Sequence, residues 1–300
     1  MSQALTSSIL HCGDQCFSPS SQMSSFLGPV LLKKDVFFKV DLIRESGKTF
    51  QTRRVCAYQL PDVEVGGKKQ AKVLLDKIDA DIVKQPLLFE STIGFYRTPT
   101  NEDIGDLASS DLISNQQPKP NLHIDTTYTL SQVKELIKSG SIKRGKFYGM
   151  ALNLALALSL QDMLIDIRIP KDQSSNNSGV TQYLISIPGE LATEKKIVLP
   201  YISDCMTQVL ACADPMDKLW EKWPGKLTVW NYGVWFHRNG PESGSEGDEN
   251  DSIVDGKKWF IIEYSVSGAE GGLVQGANKI YDYPSGQLLS NSSFSALMKP

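Results

Sequence analysis

The chain has 300 residues and a mass of 33.2 kDa, room for one large domain or two small ones. Hydrophobic residues make up 41% and charged residues 22%, which excludes a wholly disordered chain, a collagen and a multi-span membrane protein. The net charge of −3 excludes a surface devoted as a whole to nucleic acid, so any such role needs a local basic patch.

Residues 1–28 are rich in Ser and Gln and read as a flexible arm. They lack the basic start and continuous apolar stretch of a secretory signal, so the chain is expected not to be secreted. The first strand is expected within residues 30–42, where Val36, Phe38 and Val40 alternate with their neighbours. The turn signal Glu45-Ser46-Gly47-Lys48 and a second strand over 49–59 complete a hairpin. Residues 71–83 fit a helix or a strand, 86–96 look extended, and 98–121 form a long polar loop with a short helix at 101–107. Ser131 as cap, Glu135 in the first turns and Gly140 as stop predict a helix over 132–139.

In residues 151–160, Leu152, Leu154, Leu156, Leu158 and Leu160 occupy every second position. Leu and Ala favour a helix, whereas the large–small alternation favours a strand covered on both faces, and the strand is the preferred reading. Met163, Ile165, Ile167 and Ile169 alternate with Leu164, Asp166 and Arg168 in the clearest half-buried strand of the chain, ended by Pro170. Further strands are expected over 182–187, 226–238 and 259–266, and a helix over 201–213. Residues 239–255 carry six acidic residues and no basic side chain after Asn239, and read as a solvated loop. Residues 268–277 read as a Gly-rich turn and 291–300 as a tail. No internal repeat is evident.

Cys12, Cys16, Cys56, Cys205 and Cys212 are odd in number and irregular in spacing, unlike a disulfide framework. His11, Cys12 and Cys16 resemble half of a zinc site without a second half, so no metal or other cofactor is expected. No nucleophile elbow and no phosphate-binding Gly-rich loop is present, and a non-enzymatic protein is expected. A Cys/His hydrolase built on Cys205 or Cys212 with His123 or His237 is the enzymatic alternative. The basic cluster Lys134, Lys138, Lys143, Arg144 and Lys146, with Phe147 and Tyr148 beside it, fits phosphate contact and base stacking on single-stranded RNA. Asp166 and Arg168 are two residues apart, share one strand face, and suit a structural ion pair or a polar outer face.

The segment Leu164-Ile165-Asp166-Ile167-Arg168-Ile169 resembles the Leu-x-Asp-x-Arg strand of the plant-virus movement proteins of the thirty-kilodalton superfamily. The resemblance spans residues 147–238: an apolar strand before the Asp, a polar loop and strand after it, a helix over 202–213, then Gly225 and the aromatic strand 227–237. It implies a jelly-roll-like antiparallel core, binding of single-stranded nucleic acid without strict sequence choice, self-association, and delivery to plasmodesmata with viral and host partners.

The expected fold is therefore mainly β, an antiparallel sandwich or jelly roll with a few flanking helices, with residues 29–290 as a single domain. The expected function is that of a non-enzymatic viral movement-type protein, with a viral matrix or other assembly protein as the alternative.

Overall fold

The computed structural model describes residues 1–12, 17–31, 35–46, 49–59, 85–97, 120, 122–141, 166–171, 180–190, 195–210, 226–237, 253–270 and 272–299. The fold is mainly β: among these residues there are twelve strands, and every pair whose register is defined is antiparallel. Three α-helices accompany them. No described helix is long and apolar enough to cross a membrane. Contacts divide the chain into two compact units, residues 1–98 with 230–233, and residues 99–229 with 234–300.

The first unit opens with helix α1 (Ser2–Cys12) and strand β1 (Phe17–Phe26), in the segment expected to be a flexible arm. Serine-rich composition conceals both elements. Ala4, Leu5 and Ser8 recur at helical spacing and are all buried, Leu5 supplying apolar bulk and the small Ala4 and Ser8 standing beside it against the strands. Strands β2 (Phe37–Ser46) and β3 (Phe50–Tyr58) form the expected hairpin, and β4 (Phe89–Arg97) pairs with both β3 and β1. The strand face beneath α1 is partly polar, and some of its polar groups bond one another. Ser24 and Ser91, directly opposite across β1 and β4, bring their hydroxyls to 3.1 Å. Buried Arg53 donates to His11 Nδ1 at 2.6 Å and to Gln51 Oε1 at 2.8 Å.

The second unit contains β5 (Thr127–Thr129), helix α2 (Leu130–Lys138), β6 (Asp166–Pro170), β7 (Val180–Pro188), helix α3 (Lys195–Leu210) and most of β8 (Lys226–Phe236). Strands β9 (Ile253–Val254), β10 (Lys257–Glu270), β11 (Leu273–Asp282) and β12 (Leu288–Lys299) complete it. From β12 the order runs β11-β10-β7-β6-β5, with β9 paired to β10. Asp255 and Gly256, both at positive φ, form the two-residue turn between β9 and β10. This is an Asp-Gly hairpin signal, at the end of the stretch expected to be only an acidic loop. The expected Gly-rich turn and C-terminal tail belong largely to the β10–β11 hairpin and to β12. Alternate residues of β12, Ser290, Ser292, Phe294 and Ala296, are buried, a period of two hidden by its serines.

In each unit a helix covers one face of an antiparallel sheet. The expected jelly roll would need a second sheet there. Leu199 and Ile202 of α3 are buried, and α3 contacts β11 and β12. On the opposite face of the same strands, Leu122, Leu184, Trp259, Ile261 and Tyr281 form a second apolar cluster. The strand or helix expected over 151–160 and the short helix at 101–107 lie outside the described residues.

Candidate active site

On the helix-covered face of the second unit three buried polar side chains meet among hydrophobic neighbours. Ser203 stands on α3, Asn278 on β11 and Ser292 on β12, each at most 3% exposed. Asn278 and Ser292 are directly opposite across the β11–β12 ladder, so the alternation of the strands aims both at the helix. Ser203 Oγ lies 3.0 Å from Asn278 Oδ1 and 2.9 Å from Ser292 Oγ. Ser292 Oγ lies 2.5 Å from the same Asn278 oxygen. Two hydroxyl protons serve three oxygen contacts, so at any moment two of the three are hydrogen bonds. Engaging Oδ1 in this way fixes the orientation of the Asn278 amide.

Asp204 follows Ser203 on α3, and burial raises its pKa above the ordinary carboxylate value. A carboxylate held in that direction is a stronger base than one in water, and such perturbation is a mark of functional sites.

The polar pair is flanked by aromatic rings. Tyr264 of β10 is opposite Asn278, and Phe294 stacks on Tyr264 with centroids 5.9 Å apart and planes at 18°. Phe294 reaches it across Gly276, its own partner in the ladder. A Cβ at Gly276 would stand 2.5 Å from Phe294 Cζ and 2.9 Å from the Ser265 carbonyl oxygen.

Of the residues singled out in the sequence, Asp166 and Arg168 do share a face of β6, but it is the face away from α3. Asp166 Oδ2 is 3.4 Å from Lys257 Nζ and 3.8 Å from Arg168 Nε, and the Arg168 guanidinium lies 5.2 Å from the Trp259 ring centroid. Lys138 pairs with Glu135 at 2.9 Å on α2, the helix that also carries Lys134. Lys143, Arg144, Lys146, Phe147, Tyr148, Leu164, Gly225 and Cys212 lie outside the described residues. His237, at the end of β8, has its pKa lowered by burial, partly offset by a hydrogen bond with Asn291. Cys12 donates to Gln51 Oε1 at 3.4 Å, and among the described residues no three His, Cys, Asp or Glu side chains are grouped to hold a metal ion.

Sequence reasoning missed Ser203, Asn278 and Ser292, because single serines and asparagines carry no motif. The available signal was polar residues at inward positions of otherwise apolar alternation, Asn278 before Ile280 and Ser292 before Phe294.

No protein-family model matches the sequence, and no curated protein does. Solved structures do match it along nearly its whole length. An acyl-CoA thioesterase II, TesB2, from Mycobacterium marinum is 16% identical, with 99% of this chain and 86% of that chain covered and a TM-score of 0.60. A tesB protein from Mycobacterium avium subs paratuberculosis is 13% identical, with 100% and 85% covered and a TM-score of 0.56. A protein described as having a hot dog fold, from Alicyclobacillus acidocaldarius, is 10% identical, with 100% and 85% covered and a TM-score of 0.52.

This shared fold overturns the likeness to plant-virus movement proteins, and with it the jelly roll, the non-enzymatic transport function and the plasmodesmal location. The motif misled because an Asp-x-Arg pair on one face suits any half-buried antiparallel strand, and here it serves an ion-pair cluster.

Proposed function

We propose that the chain hydrolyses acyl thioesters of the acyl-CoA class, with Asp204 as the general base. The observation that carries this reading is the fold, shared over nearly the whole chain with proteins described as acyl-CoA thioesterases; Asp204, next in sequence to buried Ser203 on α3, is the carboxyl on that helix whose pKa burial raises. The fold shared end to end with proteins described as acyl-CoA thioesterases supports the choice of substrate class.

In the proposed reaction Asp204 takes a proton from water as the oxygen attacks the thioester carbonyl. The C–O bond forms and the carbonyl electron pair moves onto oxygen. Collapse of the tetrahedral intermediate breaks the C–S bond, and the protonated Asp204 returns its proton to the departing thiolate. The products are a carboxylic acid and free CoA thiol. Ser203, Asn278 and Ser292 are positioning residues that hold α3, and therefore Asp204, in register with β11 and β12.

Thiol release from acyl-CoAs of graded chain length tests the proposal. The wild-type chain is expected to turn over, and Asp204→Asn to lower kcat by about a hundredfold or more with its melting transition intact. Absence of thiol release at every chain length, or full activity in Asp204→Asn, would overturn it.

A further inference from the structure

We propose that the open edge of β2 is an interface at which two copies of this chain pair strand to strand, with Asp41 of each copy opposite Arg44 of the other. The inference concerns the first unit and does not depend on the thioesterase reading.

Among the described residues β2 pairs with β3 and with no other strand. It therefore presents a row of backbone N–H and C=O groups that no described strand meets, and such an edge accepts a further strand through main-chain hydrogen bonds. The first four residues of β2 are half-buried, and the last six, 41–46, are all exposed. At the middle of the edge Leu42 is 46% and Ile43 54% exposed. Charges and bends are what usually guard an edge of this kind. β2 has both, in Lys39, Asp41, Arg44 and Glu45 and in a register step at Ile43. Neither repels a second copy of the same strand.

Residues directly opposite in a ladder share a face of the sheet. Val40, opposite Val55, and Leu42, opposite Arg53, stand on the face beneath α1. Lys39, opposite Cys56, and Asp41, opposite Arg54, stand on the outer face. Ile43 has no partner on β3, and beyond it the faces exchange. Arg44, opposite Thr52, joins Lys39 and Asp41 on the outer face, and Glu45, opposite Gln51, joins Val40 and Leu42.

Two copies related by a two-fold axis at right angles to the sheet set like faces side by side, and every contact occurs twice. Centring the pair on the exposed Leu42 and Ile43 sets Asp41 against Arg44 of the second copy, and Arg44 against its Asp41. Val40 then faces Glu45, Lys39 faces Ser46, and the aliphatic side chains of both copies meet at the axis. Sliding the pairing by two positions sets Lys39 against Arg44, a like-charge contact, or Asp41 against Ser46, with no ion pair. The charges of β2 are thus complementary to themselves in one register. Among the described residues Arg44 has no carboxylate partner, and Asp41 is 4.0 Å from Lys39 Nζ.

Sedimentation velocity of the full chain over a wide range of concentration tests the proposal. A strand-edge interface is small, so the dimer is expected to be reversible, and the wild type should pass from monomer to dimer as concentration rises. Arg44→Glu and Asp41→Arg each create two like-charge contacts about the axis and should weaken the dimer by about tenfold or more. The exchange Asp41→Arg with Arg44→Asp restores both pairs and should restore the dimer. Lys39→Glu, opposite Ser46 in this register, should change it by less than about threefold. Residues 41 and 44 are exposed, so each variant is expected to keep the wild-type melting transition. A wild type that stays monomeric at every concentration would overturn the interface. So would a dimer that ignores the reversals at 41 and 44, or one that Lys39→Glu alone disrupts, because the contact would then lie elsewhere. Larger assemblies indifferent to these charges would overturn it equally.

Discussion

Ser203 and Asn278 are 75 residues apart in the chain, yet their side chains meet at 3.0 Å and are held there with Ser292 in a buried polar triangle. The contact joins α3 to the β11–β12 hairpin through groups that would each be costly to leave unpaired. Asn278→Leu removes the shared acceptor, so that of the two buried hydroxyls only one can still donate within the triangle, to the other, with an expected loss of about 1–3 kcal/mol. Replacing all three with apolar side chains, Ser203→Ala, Asn278→Leu and Ser292→Ala together, is expected to recover much of that loss, since no polar group is then left behind. Urea unfolding checks both: the midpoint should fall in the single variant at unchanged m value and rise again in the triple variant.

Asp204 ties stability to pH in the opposite sense from a salt-bridged carboxylate. Burial raises its pKa above 3.8, so the folded protein holds the proton more tightly than the unfolded chain. Stability from this group is therefore greatest at low pH, falls as pH climbs from the unfolded to the raised folded value, and stays reduced above both. Asp204→Asn is expected to melt higher than the wild type at neutral pH and to show a flatter dependence of Tm on pH over that window, while losing activity. A variant that melts lower than wild type at neutral pH would contradict the assignment.

Gly276 is required by its neighbour's ring. Gly276→Ala drives a Cβ into Phe294 and towards the Ser265 carbonyl, and overpacking of this kind costs about 1–3 kcal/mol. Shortening the ring in the same chain, Gly276→Ala with Phe294→Leu, should relieve part of the clash. The two substitutions should then be non-additive in a double-mutant cycle of unfolding free energies, as expected for side chains in direct contact.

Much of the architecture was legible from local pattern. The β2–β3 hairpin, the alternation of Ile167 and Ile169 in β6, the aromatic strand β8 and the short helix α2 all follow from periodicity and turn residues. Other elements were hidden by composition. β1 and β12 are rich in serine and were expected to be an arm and a tail. Two of these serines lie inside with their hydroxyls paired, Ser24 with Ser91 and Ser292 with Ser203. Serine in a strand is indistinguishable from serine in a loop until its partner is known.

Among the described residues, the sequence by itself determined elements such as β6 and the β2–β3 hairpin from the two-residue period of their apolar side chains, because such periods are properties of neighbouring residues. Only the tertiary structure decided that helices, in place of a second sheet, cover the strands. It alone brought Ser203 to Asn278, laid Phe294 over Gly276, and set Asp166 and Arg168 on the face away from Asp204. Each of these depends on strand register and on where a helix lands, and both are set by packing between residues distant in the chain.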